Sequence, residues 1–341
     1  MKPRYFRYAA VLALSLAFAL PAAQVGAVRL PPRQNAVTSG VTGGALFGGT
    51  VPLLAEQGQL GRKLAIVRVY YMIGKKFNIP KIDKAMAAGT TVLASLDVPH
   101  SQGITYASIA AGRQDKQISA WLTEAEQEAV AHNVPAVYVA FEHEANNPPN
   151  HVLGTPAQFQ AAWRHMHSLA AKAHLNAGTG GRLRWALILM HMAYFPASQR
   201  PKWSLRAGFA KDYFPGAANV DVIAADGYNR GGCRLHRTTS PTKPSVTPGS
   251  LFDPVLEFAR THGGKPVFIA EWASAAYSDV PAWQANFIGQ MKAYVLSHPT
   301  IAAVMYWDDI GYNGCKFAVT GQPKSVSALA AMGKVINGHL G

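Results

Sequence analysis

The chain has 341 residues, of which 49% are hydrophobic and only 15% charged. That length and apolar content suit one large core and exclude a disordered or fibrous chain. The net charge of +14 and pI of about 9.8 predict attraction to anionic surfaces. The lysines and arginines are scattered without a basic run or an aromatic-basic motif, so nucleic acid is not an expected partner.

In chain order, the N-terminus reads as an export signal over residues 1–27. Lys2, Arg4 and Arg7 form a positive start. Ala9 to Leu20 is uncharged and apolar but short for a membrane span, and Val25-Gly26-Ala27 fits a cleavage site after Ala27. Residues 28–44, rich in Pro, Gly, Ser and Thr, read as a flexible lead-in, and residues 45–341 as one folded domain. No later stretch is long and apolar enough to span a bilayer. The protein is therefore expected to be secreted, possibly held at the cell wall, and monomeric. In an exported chain the two cysteines, Cys233 and Cys315, are expected to form a disulfide.

Eight apolar runs follow: Leu46 to Thr50, Leu64 to Tyr71, Thr91 to Asp97, Ala136 to Phe141, Arg184 to Met190, Val220 to Ala225, Pro266 to Ala270 and Ile301 to Trp307. Helix signals separate them. Thr123-Glu124-Ala125-Glu126 predicts a helix start, as do Thr155-Pro156 and Asp253-Pro254, with Gly263 as a stop. Ser325 to Ile336 predicts the closing helix. Strands alternating with helices point to a parallel sheet, and eight repeats suit an α/β fold of the (β/α)8 TIM-barrel type. A doubly wound open sheet would place a glycine-rich phosphate turn after its first strand, and Gly48-Gly49 does not fit that fingerprint.

Two of these runs stop at carboxylates. Ala136 to Phe141 leads into Glu142-His143-Glu144, and Pro266 to Ala270 leads into Glu271-Trp272. A buried strand that ends on a carboxylate places it at the barrel face where chemistry occurs. The fourth and seventh strands lie across an eight-stranded barrel from one another, so Glu144 and Glu271 can face each other, as two-carboxylate glycoside hydrolysis requires. Strand alternation would put Glu142 on the same side as Glu144 unless a bulge intervenes, which makes Glu142 a rival acid.

The segments FEHEANN, GTPAQFQAAWRHMH, YFPGAANVDVIAADGYN and KPVFIAEWAS, in that order, resemble glycoside hydrolase family 26, a family of clan A retaining glycosidases that includes β-mannanases. The resemblance runs from about Phe47 to the C-terminus. It implies Glu144 as acid/base after His143, Glu271 as nucleophile, Tyr228 as hydrogen-bond donor to the nucleophile, and Trp307 as a sugar platform. Where that family's mannanases carry Arg-Pro-Phe, this chain has Ala140-Phe141-Glu142, and Asn146-Asn147-Pro148-Pro149-Asn150 replaces an aromatic cluster. Sugars there would rely on Asn146, Asn147 and Asn150, which predicts weak action on plain mannan. β-1,3-xylan and mixed-linkage glucan are alternative substrates, and a barrel that binds glycan without cleaving it is the alternative from another class.

Trp272 is expected to stack on sugar beside Trp307. Other strand-end residues are candidate sugar contacts: Arg68, Tyr70, Asp97, His100, His191, Tyr194, Asp226, Asn229, Asp308 and Asp309. An unpaired arginine inside a strand is costly, so Arg68 is expected to face Glu142 or Glu271. No metal or other cofactor is expected. The His165-Met166-His167 spacing falls on a helix, where such neighbours diverge, and no HExxH or G-x-S-x-G motif is present. The expected partner is a polysaccharide.

Overall fold

The computed structural model describes residues 41–340 except 43, 201, 203–207, 234–238 and 312–313. The export signal and most of the lead-in lie outside the described residues. A two-stranded antiparallel ribbon joins β1 (Val41–Thr42) to β10 (His339–Leu340). Between them, β2 (Leu46–Thr50), β3 (Ile66–Met72), β4 (Thr91–Asp97), β5 (Val137–Phe141), β6 (Leu183–Met190), β7 (Val222–Asn229), β8 (Val267–Ser274) and β9 (Ile301–Tyr306) form a closed parallel barrel in chain order, with β9 pairing back onto β2. The fold is the expected (β/α)8 TIM barrel.

Helices α1 (Gln57–Leu60), α2 (Pro80–Ala87), α3 (Tyr106–Ala110), α4 (Asp115–Ala131), α5 (Pro156–Lys172), α6 (Ala210–Tyr213), α7 (Pro248–Thr261), α8 (Trp283–Ser297) and α9 (Pro323–Val335) supply the crossovers. The strands are apolar on both faces because both are covered. Inward residues such as Leu46, Ile66, Tyr138, Ile188 and Phe268 fill the barrel. Outward ones such as Phe47, Val67, Val139, Trp185 and Ile269 pack beneath the helices. Gly48 is needed where β2 meets β3, since a Cβ there would lie 2.0 Å from the Ile66 carbonyl oxygen. Val41 and Leu340 pack against the inner core, so the terminal ribbon closes the barrel at the N-terminal end of its strands. Among the described residues no helix is long and apolar enough to cross a membrane.

Two expected helix starts are misplaced. Thr123 lies inside α4, which begins at Asp115 with no capping side-chain bond to mark it. Asp253-Pro254 lies inside α7. That helix begins at Pro248, where Thr247 and Ser250 form a reciprocal capping box, and Asp253 instead accepts a 2.8 Å hydrogen bond from the Tyr294 hydroxyl. Thr155-Pro156 does start α5, with Gln158 completing the box. Gly263, at φ +104°, follows the end of α7 as expected.

Candidate active site

β7 and β8 run further than the apolar runs suggest. Their pairing continues through Asp226↔Glu271 to Asn229↔Ser274, past an irregularity at which Ala225 pairs with Ile269 and Asp226 with Glu271. Ala270 is the extra residue, a bulge that breaks alternation. Phe268 and Ala270 point into the barrel, and after the bulge Glu271 also faces the mouth. Trp272 consequently turns outward. It is 0% exposed and packs edge-on against Tyr306, with ring centroids 5.0 Å apart. Trp272 is thus a core residue and not the expected sugar platform.

Glu271 is held by two hydroxyl donors and one cation. The Tyr70 hydroxyl donates to Oε1, the Tyr228 hydroxyl donates to Oε2, and Arg68 Nε lies 3.5 Å from Oε1. Arg68 therefore faces Glu271 and not Glu142, with its guanidinium 4.8 Å from the Tyr70 ring centroid. Burial lowers the arginine's hold on its proton, but Tyr70, Asp226, Glu271 and Asp97 outweigh it and keep Arg68 charged. Burial, then the Glu271 charge, pushes both phenols well above their ordinary value, so they remain donors.

The β5 end departs from strand alternation. Glu142 and Glu144 both adopt left-handed backbone, with φ of 44° and 53°. The Glu142 amide donates to Leu96 and the Glu144 amide to Ile188, so the turn stitches β4 to β6 across the end of β5. The two glutamates accordingly differ in reach: both line one cavity of the mouth, and only Glu144 extends into the cavity that holds Glu271. Glu144 lines a cavity of about 830 Å³ with Glu271. Burial, then the Glu271 charge, raises the Glu144 pKa, while His143 and a 3.1 Å hydrogen bond from Asn147 Nδ2 oppose the rise. Glu142 instead accepts from the Val98 amide at 2.6 Å and lines an adjoining cavity of about 610 Å³ with Asp97 and His100. His143 Nδ1 lies 3.0 Å from Asp97 Oδ1. Burial works against charge on this imidazole, but Asp97 outweighs it and raises the pKa to about 10.

The larger cavity also gathers Tyr228, His191, Asp226, Asn147 and Trp307. Tyr70 meets the Trp307 ring edge-on at 5.9 Å. His191 Nδ1 lies 3.0 Å from the Asp226 carbonyl oxygen, and burial lowers its pKa to about 4, so it is a neutral ring at the cavity wall. Burial, then the Glu271 charge, holds the Asp226 carboxyl well above the usual range.

Several other candidates have structural work. Asn146 is fully buried and accepts from the Met190 amide at 3.0 Å, so it offers no surface to sugar. Tyr194 donates to the Ala224 carbonyl, Asn229 to Ser245 and Ser274, and Asp308 accepts from the Val319 amide. His165 pairs with Asp115, whereas His167 lies beside Trp185, so the two do not converge.

Cys233 and Cys315 form a disulfide, with Cα atoms 5.6 Å apart. It ties the segment after β7 to the segment after β9, across β8. Sequence reading missed Phe317, which stacks on Tyr228 at 5.1 Å, and the cavity-lining pair Arg230 and Lys243. No strand-end signal marks these loop positions.

Compared by sequence, the chain matches no protein-family model and no curated protein. Its fold is similar to many solved structures. A glycoside hydrolase family 26 β-mannanase from Bacteroides ovatus aligns at TM-score 0.56 and 13% identity, over 86% of this chain and 89% of that one. A family 26 protein, GH26C, from a Muricauda species aligns at TM-score 0.54 and 12% identity, over 87% and 86%. Fungal β-1,4-galactanase aligns at TM-score 0.52 and 14% identity, over 85% and 94%. At these identities the likeness is one of fold.

Proposed function

We propose that the protein is a secreted retaining glycoside hydrolase that cleaves a β-linked polysaccharide, with Glu271 as nucleophile and Glu144 as acid/base. One observation carries this reading. A buried carboxylate held by two phenols and an arginine shares a cavity with a second carboxyl whose environment favours its protonated form. Double displacement requires one carboxyl that gives up a proton and a second that attacks the sugar.

In the first step Glu144 gives its proton to the glycosidic oxygen, and Glu271 attacks the anomeric carbon. The bond to the leaving sugar breaks and a glycosyl ester forms. Tyr70, Tyr228 and Arg68 hold Glu271 in position and stabilise it when it departs as an anion. In the second step Glu144 takes a proton from water, which attacks the same carbon and releases Glu271. Two inversions retain the anomeric configuration. Asn147 holds Glu144 in place, the charge of His143 acts on it, and Trp307 offers its face to the sugar ring. The fold likeness and the four sequence segments favour a mannanase-like substrate. The asparagine-rich turn after Glu144 favours a different or decorated β-glycan over plain mannan.

The test is reducing-end release by purified protein on mannan, galactomannan, β-1,3-xylan and mixed-linkage glucan, with proton NMR of the first product. Retention on at least one glycan is the expected result. Net inversion refutes the covalent role of Glu271, and no release on any glycan, despite binding, favours a non-catalytic barrel. Export is tested by sequencing the secreted protein, whose first residue should be Val28.

A further inference from the structure

The cavity that holds Glu144 and Glu271 has an asymmetric wall. On the side formed by the segment after β7 it is lined by Arg230, Gly231, Gly232 and Lys243. Both cations are exposed, and among the described residues neither takes part in an ion pair. The other cations of the mouth are paired with carboxylates. Arg68 is spent on Glu271, and His143 on Asp97. Arg230 and Lys243 therefore place two positive charges without a close ion-pair partner on one wall, with the Arg230 charge also felt at Glu144.

This wall is built. Gly231 and Gly232 adopt left-handed backbone, with φ of 52° and 82°. A Cβ on Gly232 would lie 2.2 Å from Thr242 Oγ1, and one on Gly231 would lie 2.8 Å from Trp283. The Gly231 carbonyl accepts from the amides of Thr242 and Lys243, at 2.8 and 3.0 Å, which brings the lysine beside the arginine. The Arg230 carbonyl accepts from the Cys233 amide and the Tyr277 hydroxyl, and Cys233 is locked to Cys315. The Arg230 guanidinium sits 5.6 Å from the ring centroid of Tyr228, whose hydroxyl holds the nucleophile. Arg230 thus stands one aromatic ring away from the proposed nucleophile, and Lys243 lines the same wall from a backbone tied to Gly231. Preorganised cations lose little freedom on binding an anion.

We propose that Arg230 and Lys243 form an anion subsite that selects a β-glycan whose sugar carries a carboxylate or a sulfate ester next to the cleavage point. The inference rests on the glycan-hydrolase reading and narrows its substrate class. A charged substituent exchanges water for two charge-assisted contacts there, whereas a neutral hydroxymethyl group exchanges one hydrogen bond for another.

The experiment measures binding by calorimetry on the full chain, so it does not depend on turnover. The probes are mannohexaose and cellohexaose, each beside its C6-carboxylated and 6-O-sulfated counterpart, at low and moderate salt. The expected result is an anionic form bound about tenfold more tightly than its neutral parent at low salt, the preference shrinking as salt rises. R230Q combined with K243Q should lose the preference, and R230K combined with K243R should keep it. Equal affinity within every set, no binding by any probe, or a preference that survives R230Q/K243Q overturns the subsite. Preference for only one anion identifies which substituent the site takes. Failure of the hydrolase reading shows separately, as glycan binding without reducing-end release.

Discussion

Glu142→Gln separates two roles for the glutamate that precedes the proposed acid. Glu142 is 3% exposed and faces Asp97 rather than Glu271. Burial, then the Asp97 charge, raises its pKa from 4.5 to about 8, against a hydrogen bond from the Val98 amide and the charge of His143. The folded chain thus keeps this proton until about pH 8, while the unfolded chain releases it near the ordinary carboxyl value. The stability contributed by the protonated form is complete below about pH 4.5 and is lost as pH rises toward 8. At roughly 1.36 kcal/mol per pH unit, the loss reaches at most about 5 kcal/mol. Glutamine mimics the protonated form and can still accept from Val98. The variant and the parent should therefore have similar urea midpoints at about pH 4, with the variant gaining steadily up to about pH 9. Turnover should stay within about tenfold, because a group outside the proton path contributes less than a general acid does. A difference in midpoint that stays constant with pH refutes the buried-carboxyl reasoning. A turnover loss as large as that of Glu144→Gln transfers the acid role to Glu142.

Glu144→Gln and Glu271→Gln should each lower kcat by about 10² or more, with little change in melting temperature for Glu144→Gln and a fall for Glu271→Gln, which leaves the buried Arg68 without its carboxylate, read by reducing-end release and thermal denaturation. The alkaline limb of the wild-type pH profile should lie above the ordinary carboxyl range, because Glu144 must be protonated and its pKa is raised, so activity falls as pH climbs through it. Thiol titration of denatured, unreduced protein should find no free cysteine, and reduction should cost about 4 kcal/mol in the chain-entropy account of a long closed loop. Trp307→Phe should weaken glycan binding at nearly unchanged stability. Trp272→Phe should do the reverse, since it opens a cavity beside Tyr306 and Phe287, and calorimetric binding with melting curves distinguishes the two.

The barrel was legible because its strands are apolar on both faces and eight such runs alternate with helical segments. Thr155-Pro156 gave its helix start for a local reason, a reciprocal hydrogen bond with Gln158. Asp115 gave none, because α4 begins without a side-chain cap. In the site, Glu144, Glu271, Tyr228 and Arg68 were readable as polar residues at the ends of buried strands. Trp272 misled because the bulge at Ala270 reverses which neighbour faces the mouth, and a sequence pattern of period two carries no mark of a bulge. That Glu144 and not Glu142 reaches the cavity of Glu271 was equally hidden, since it depends on two left-handed residues that are not glycine. Arg230 and Lys243 were invisible as a pair, because twelve residues separate them in the sequence.

The terminal ribbon has a bearing on how the molecule is handled. β1 and β10 leave the domain side by side at the end of the barrel remote from Glu144 and Glu271. A tag, a resin or a further polypeptide joined directly to β10 grips the base of the barrel and holds its mouth outward. Immobilisation through that end should consequently preserve access for a long, bulky chain. Coupling through lysines would not, because Lys243 stands at the rim of the opening.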